Sequence, residues 1–244
     1  MRNVLKKGWA ARSSKCIALT ASIFFCSNLK AESSLYDFLW LDPDKKVYVL
    51  QNKVYTKKNR TYLNVGYISG QSSSYYDTNG VHLLIGHYLT EEWSLEFFYN
   101  NYKNKTNDNY NNLVEVNSVV PFSRQINESI GLMALWSPFY GKVNTFNKIF
   151  YFDWSIGAGI GKVKGESNAN SVTDPNTGNI FEEESHTAGI LKTGLRFHAT
   201  ENIHIGIDYK RTQYKANGIR YEDRPQEKSW RGHSDLVFSI GFSF

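Results

Sequence analysis

The sequence predicts an all-β chain, an eight-stranded antiparallel transmembrane β-barrel with a short N-terminal periplasmic arm. Three observations carry that prediction. The last nine residues alternate strictly: Leu236, Phe238, Ile240, Phe242 and Phe244 fall on one face of a strand, and Val237, Ser239, Gly241 and Ser243 on the other. Segments of the same kind can be cut from the whole of residues 61–244, and they number eight. The connections between them alternate short and long, which ties strand parity to the two sides of a membrane.

The terminal segment is the most specific of these. A half-buried strand of a soluble sandwich shows the same alternation, but chain termini usually fray into polar residues. A terminal Phe on an all-apolar face suits a strand whose outer side meets lipid and whose inner side meets a small polar lumen. The run Phe238, Ile240, Phe242, Phe244 resembles the C-terminal strand by which Gram-negative outer-membrane barrels are recognised for insertion. The resemblance implies an insertion signal read by the barrel assembly machinery during biogenesis.

The start of the chain agrees with export. Arg2, Lys6, Lys7, Arg12 and Lys15 precede an apolar segment from Cys16 to Leu29, and Ala31 offers a cleavage point before Glu32. Residues 1–31 therefore read as a signal peptide whose apolar core is too short to span a bilayer. Of the 28 basic residues, six (Arg2, Lys6, Lys7, Arg12, Lys15, Lys30) lie in this segment. The 22 that remain face 23 acidic ones, a net charge of −1. The basicity of the full chain is thus a targeting signal and argues for no nucleic-acid partner. Both cysteines, Cys16 and Cys26, leave with the leader, which excludes disulfides, thiol catalysis and Cys-based metal sites. A mean hydropathy of −0.46 and the lack of any run of 18 apolar residues beyond the leader exclude helical spans.

Residues 32–60 read as a periplasmic N-terminal arm packed on the barrel mouth, with residues 61–244 as the outer-membrane barrel. The run Leu35-Tyr36-Asp37-Phe38-Leu39-Trp40-Leu41-Asp42-Pro43-Asp44, followed by Val47 to Asn52, is similar to the opening of a bacterial family known only as "outer membrane beta-barrel domain" proteins. Trp136-Ser137-Pro138-Phe139-Tyr140-Gly141-Lys142, with Phe150 to Gly161 after it, resembles a second segment of that family. The resemblance implies a small outer-membrane barrel and carries over no catalytic residue.

The strands follow from period and turn signals. Thr61 to Ser69 sets Leu63, Val65 and Tyr67 on one face; Val81 to Leu89 is apolar on both, so its facing stays open. Trp93 to Tyr102 sets Trp93, Leu95, Phe97 and Tyr99 against Ser94, Glu96, Phe98 and Asn100, and Ser129 to Trp136 follows. Lys148 to Gly161 sets Phe152, Trp154 and Ile156 outward near mid-strand, against Asp153 and a run of glycines. Thr187 to His198, Ile203 to Tyr214 and Gly232 to Phe244 complete the set. Thr90 to Glu92, Thr200 to Asn202 and the longer Ser137 to Asn147 are the periplasmic turns. Gly70 to Gly80, Asn101 to Glu128, Lys162 to His186 and Lys215 to Arg231 are the polar outer loops. Tyr88, Trp93, Trp136, Tyr209 and Phe244 are expected in interfacial girdles.

Parity sends Glu96, Asp153, Lys192, Arg196, Asp208 and Lys210 into the lumen. Three acids and three bases in so narrow a barrel should pair, since an unpaired charge there is costly. Folding a hairpin about Glu201 puts 194 opposite 208 and 196 opposite 206, so Asp208 is expected within reach of both Lys192 and Arg196. Small barrels also include lipid-modifying hydrolases and acyltransferases, and His233-Ser234-Asp235 is the candidate here. Adjacent residues of a strand point to opposite faces, so His233 and Ser234 should not meet. Glu166, Glu182, Glu183 and Glu184 lack the fixed spacing of a calcium loop and read as a solvated face. No catalytic residue, metal or cofactor is therefore expected. The reading is a non-enzymatic outer-membrane barrel with a structural or surface-interaction role through its long loops. A small channel for polar solutes is the alternative, and an outer-membrane lipid-modifying enzyme the third. Outer-membrane lipids are the expected surroundings.

Overall fold

The computed structural model describes residues 54–145, 148–173, 180–221 and 223–244. The leader at residues 1–31 and the arm up to residue 53 lie outside the described residues. Eight strands follow in order: β1 (Thr61–Gly70), β2 (Tyr76–Tyr88), β3 (Trp93–Thr106), β4 (Arg124–Thr145), β5 (Lys148–Ser167), β6 (Glu182–His198), β7 (Ile203–Asn217) and β8 (Lys228–Ser243). One helix, α1 (Asp108–Asn117), stands between β3 and β4. Each strand pairs antiparallel with the next, and β8 returns to β1 from Tyr62↔Ser243 to Gly70↔Asp235, so the sheet closes with no free edge. The end that carries Thr61, Phe244 and the turns at 90–92 and 200–202 is called the near end here; the other is the far end.

The period-two pattern of the sequence becomes the two sides of the wall. Outward residues include Val65, Leu83, Phe97, Leu132, Ile160, Leu191, Ile205 and Ile240, one from each strand, with 42–71% of their surface exposed. Their inward neighbours are buried and mostly polar. The inside is not uniformly polar, however. Tyr62, Leu84, Phe98, Met133, Leu135 and Ile190 form one buried apolar cluster, and Ile68, Tyr102, Ile126, Val163, Tyr214 and Val237 form another. An eight-stranded ring is just wide enough for such side chains to fill. Two glycines mark where the filling is tightest. A Cβ on Gly86 would overlap the ring of Tyr62, and one on Gly194 would overlap the carboxylate of Asp208 across the β6–β7 pair.

Several expectations are corrected. The largest concerns Ser137 to Asn147, read as a turn. Instead β4 runs on to Thr145 and pairs with β5 down to Thr145↔Lys148. A register shift between Trp136 and Phe139 accommodates Pro138, which cannot donate to a ladder. The loops at the far end are shorter than expected because the strands project: β2 begins at Tyr76, β3 continues to Thr106 and β5 to Ser167. The Asn-rich stretch is not all loop. Asn107 caps α1 by accepting from the Tyr110 amide at 3.2 Å, and Ser118 closes it in the left-handed region at φ 52°. The open facing of β2 is settled with Val81, Leu83 and Ile85 outward and His82, Leu84 and Tyr88 inward. Tyr88 is therefore no girdle residue. It is 3% exposed and packs on Tyr62 with ring centroids 4.8 Å apart. Trp93, Trp136, Tyr209 and Phe244 are exposed on the outer surface.

Candidate functional site

The lumen holds the chemistry, in levels. At its waist Glu96 on β3 is fully buried, and three neighbours converge on it. Tyr62 donates its hydroxyl to Glu96 at 2.6 Å, Lys192 donates at 2.8 Å, and Arg196 lies 3.4 Å away. Lys192 also reaches Asp208 at 3.1 Å. Arg196 stacks over the Tyr62 ring at 4.2 Å and donates to the Tyr88 hydroxyl. The hairpin register places Gly194 opposite Asp208 and Arg196 opposite Gly206. Asp208 meets Lys192 there, while Arg196 turns to Glu96 and Tyr88 rather than to Asp208. The reason is local: Gly194 leaves the space that Asp208 fills, and the two tyrosines offer the guanidinium both a π face and a hydroxyl.

Towards the near end Lys57, just before β1, folds into the mouth and is 3% exposed. Its ammonium donates to Asp153 at 2.8 Å, and His198 lies 2.7 Å from the other Asp153 oxygen. Glu91 accepts from the Lys57 and Lys58 amides, which ties residues 57–58 to the β2–β3 turn. Towards the far end Lys210 approaches Asp235 at 3.3 Å and lies over the Phe98 ring at 4.7 Å. Tyr102 donates to Asp235 at 2.9 Å, and His233 Nε2 lies 2.7 Å from its other oxygen.

The waist and the levels on either side of it thus hold four acids (Glu96, Asp153, Asp208, Asp235) against four bases (Lys57, Lys192, Arg196, Lys210), and every one of them has an opposite partner. Sequence reasoning named six of these and missed Lys57 and Asp235. Asp235 could have been found, since it continues the inward parity of Val237 and Ser239. Lys57 carries no periodic signal, because it precedes the strand.

The His233-Ser234-Asp235 run is divided between faces. His233 turns inward to Asp235. The Ser234 hydroxyl instead accepts from Arg211 at 2.6 Å and Tyr209 at 2.9 Å. The four glutamates also separate. Glu166 and Glu183 face each other across β5 and β6, Glu182 accepts from Asn170, and Glu184 turns inward. Arg124 grips Glu184 with two bonds of 2.8 and 3.2 Å and donates to the Asn217 carbonyl at 2.7 Å. Ser167 donates to the same carboxylate at 2.6 Å.

Above this level the lumen opens into a far-end vestibule of about 210 Å³, lined by Phe122, Arg124, Tyr214, Arg231 and His233 and rimmed by Ser72 and Ser73. Among the described residues no three His, Cys, Asp or Glu side chains are grouped to hold a metal ion. Phe238, Ile240, Phe242 and Phe244 lie on the outer wall of the near half, 46–65% exposed.

No family model and no curated protein sequence matches the chain, so the resemblance carried by residues 35–52 and 136–161 has no counterpart there. Several solved structures do align with it. The N-terminal β-barrel domain of OprF from Pseudomonas aeruginosa is 17% identical, covers 77% of this chain and 98% of its own, and gives a TM-score of 0.43. Ail, the attachment invasion locus protein of Yersinia pestis, is 14% identical over 77% of this chain and 99% of its own, at 0.41. The outer membrane protein OprG of Pseudomonas aeruginosa is 10% identical over 78% and 98%, at 0.44. At these scores the likeness carries nothing about function.

Proposed function

We propose that the chain is a non-enzymatic integral outer-membrane barrel. Its lumen is closed by its own side chains, and its function is borne by what projects from the far end. The observation that carries this reading is the inversion of the wall. Each strand exposes large apolar residues to the outside, while seven Asp, Glu and Lys side chains (Lys57, Glu96, Asp153, Lys192, Asp208, Lys210, Asp235) are buried inside. An outer face of this kind spread around the whole ring needs a lipid surrounding rather than water. The filled interior argues against a wide aqueous pore, because pore-lining residues keep contact with water, whereas Glu96, Lys192, Lys210 and Asp235 are 0–4% exposed.

The near end is then periplasmic, and residues 32–60 form an arm whose last described part lies in the mouth. The far end, with α1 and the projecting strands, faces the exterior and any partner found there. The terminal run ending at Phe244 serves the assembly machinery, and lipids contact the outer wall. Membrane fractionation tests the reading. The protein should be recovered with the outer membrane as a heat-modifiable band, and recovery as a soluble periplasmic protein would overturn it. The wall is tested with Ile156→Arg, at the middle of the apolar outward run of β5. It should cost about 2–4 kcal/mol of unfolding free energy in lipid, against about 0–1 kcal/mol for Tyr67→Arg near the far end of β1.

A further inference from the structure

We infer that the far-end vestibule is a binding site for a small oxyanion, with Arg231 as its principal donor. Arg231 stands opposite Tyr214 in the β7–β8 register and so shares its inward face. Its guanidinium makes no hydrogen bond or ion pair among the described residues. The Nε atom is buried without a partner, and the group rests 5.7 Å over the Phe122 ring. No other buried or half-buried inward Lys or Arg of the described barrel is in that position. Lys57, Lys192, Arg196 and Lys210 each meet a carboxylate, and Arg124 is taken up by Glu184 and the Asn217 carbonyl. A guanidinium held at the mouth with its fork free presents the geometry that matches a carboxylate, phosphate or sulfate.

The surroundings agree with an anion. The Glu184 carboxylate is already held by the Arg124 fork and the Ser167 hydroxyl. Asp235, below the floor, is taken by Lys210, Tyr102 and His233. On the rim, Ser72 Oγ accepts from the Ser234 amide at 2.7 Å, and Ser73 Oγ accepts from the Tyr76 amide at 3.0 Å. Each hydroxyl keeps its own proton for donation. The site therefore offers a charged fork and two hydroxyl donors. At about 210 Å³ the cavity takes an inorganic oxyanion whole, or the anionic end of a longer molecule entering from outside.

Calorimetric titration of the full chain in detergent tests this, with inorganic phosphate, acetate and glucose 6-phosphate at constant ionic strength. The expected result is saturable one-to-one binding of at least one of them. It should weaken by about tenfold or more in Arg231→Gln and be retained in Lys215→Gln, whose ammonium lies over Trp230. Phosphate alone would assign a tetrahedral anion and acetate alone a carboxylate. Tighter binding of glucose 6-phosphate than of phosphate would assign the end of a larger solute. If Arg231→Gln does not fold, phenylglyoxal labelling of the wild-type protein replaces it: the binding anion should slow modification of Arg231, read by peptide mass. Absence of saturable binding, equal binding by Arg231→Gln, or labelling of Arg231 indifferent to the anion would each overturn the inference.

Discussion

The waist of the lumen and the rim of the far end use the same ion pairs to different effect. At the waist, Glu96 and Lys192 meet at 2.8 Å with 0 and 3% of their side chains exposed. On the outer rim, Lys164 and Glu128 meet at 3.2 Å with 60 and 38% exposed. Distance hardly separates the two pairs; water does. A charge deprived of water must keep its partner or bear several kcal/mol of uncompensated desolvation. A charge in water can exchange its partner for solvent at little cost, and salt screens what remains. At the waist all charges are accordingly answered, and on the outer rim a pair can open and re-form at little cost; Arg231, in the vestibule between them, keeps a buried Nε with no partner.

The comparison can be broken most sharply at Glu96. Glu96→Ala leaves Lys192 with Asp208 alone and Arg196 with no carboxylate in the dry waist, and the expected loss is about 3–5 kcal/mol in urea unfolding with lipid present. A loss under about 1 kcal/mol would mean that water reaches the waist. Asp208→Asn should cost less, about 1–3 kcal/mol, because Lys192 keeps its bond to Glu96. Adding Lys192→Met should recover part of that loss, with a coupling of about 0.5–3 kcal/mol in the double-mutant cycle; strict additivity would mean that the two do not interact. At the rim, Lys164→Met should change stability by no more than about 0.2–1 kcal/mol, and that difference should shrink as salt is raised.

How much of this was legible in the sequence depended on how strongly each segment is sorted between lipid and lumen. Trp93 to Tyr102, Ile203 to Tyr214 and the terminal run alternate in plain view, because an outward Phe or Ile and an inward Glu, Asp or Lys are far apart in polarity. Strand ends were not legible. Lys162 to Ser167 and Tyr76 to Gly80 extend the ring beyond its apolar band, where both faces are polar and the alternation carries no contrast. Tyr88 misled for the opposite reason. Tyrosine suits an interfacial belt and a lumen equally well, and the choice was made by Gly86 and the space it leaves for Tyr62 beside Tyr88. Pro138 read as a turn, yet a register shift lets the strand pass it.

Within the lumen, the inward placement of the six charged residues could be read from parity alone. Which acid met which base could not be read, since it depends on contacts such as Glu96 with Lys192, across residues that are 96 apart in sequence. The vestibule was invisible as well, because Phe122, Ser73 and Arg231 come together only when the ring closes.

The most direct test of the closed waist is the current through the purified wild-type protein in a planar lipid bilayer. With Asp208, Lys192, Glu96 and Arg196 linked in a chain of ion pairs across the lumen, the protein should insert without step-like openings. Steady unitary steps from the wild-type barrel would contradict the account, because ions could pass only if those four side chains were solvated and apart.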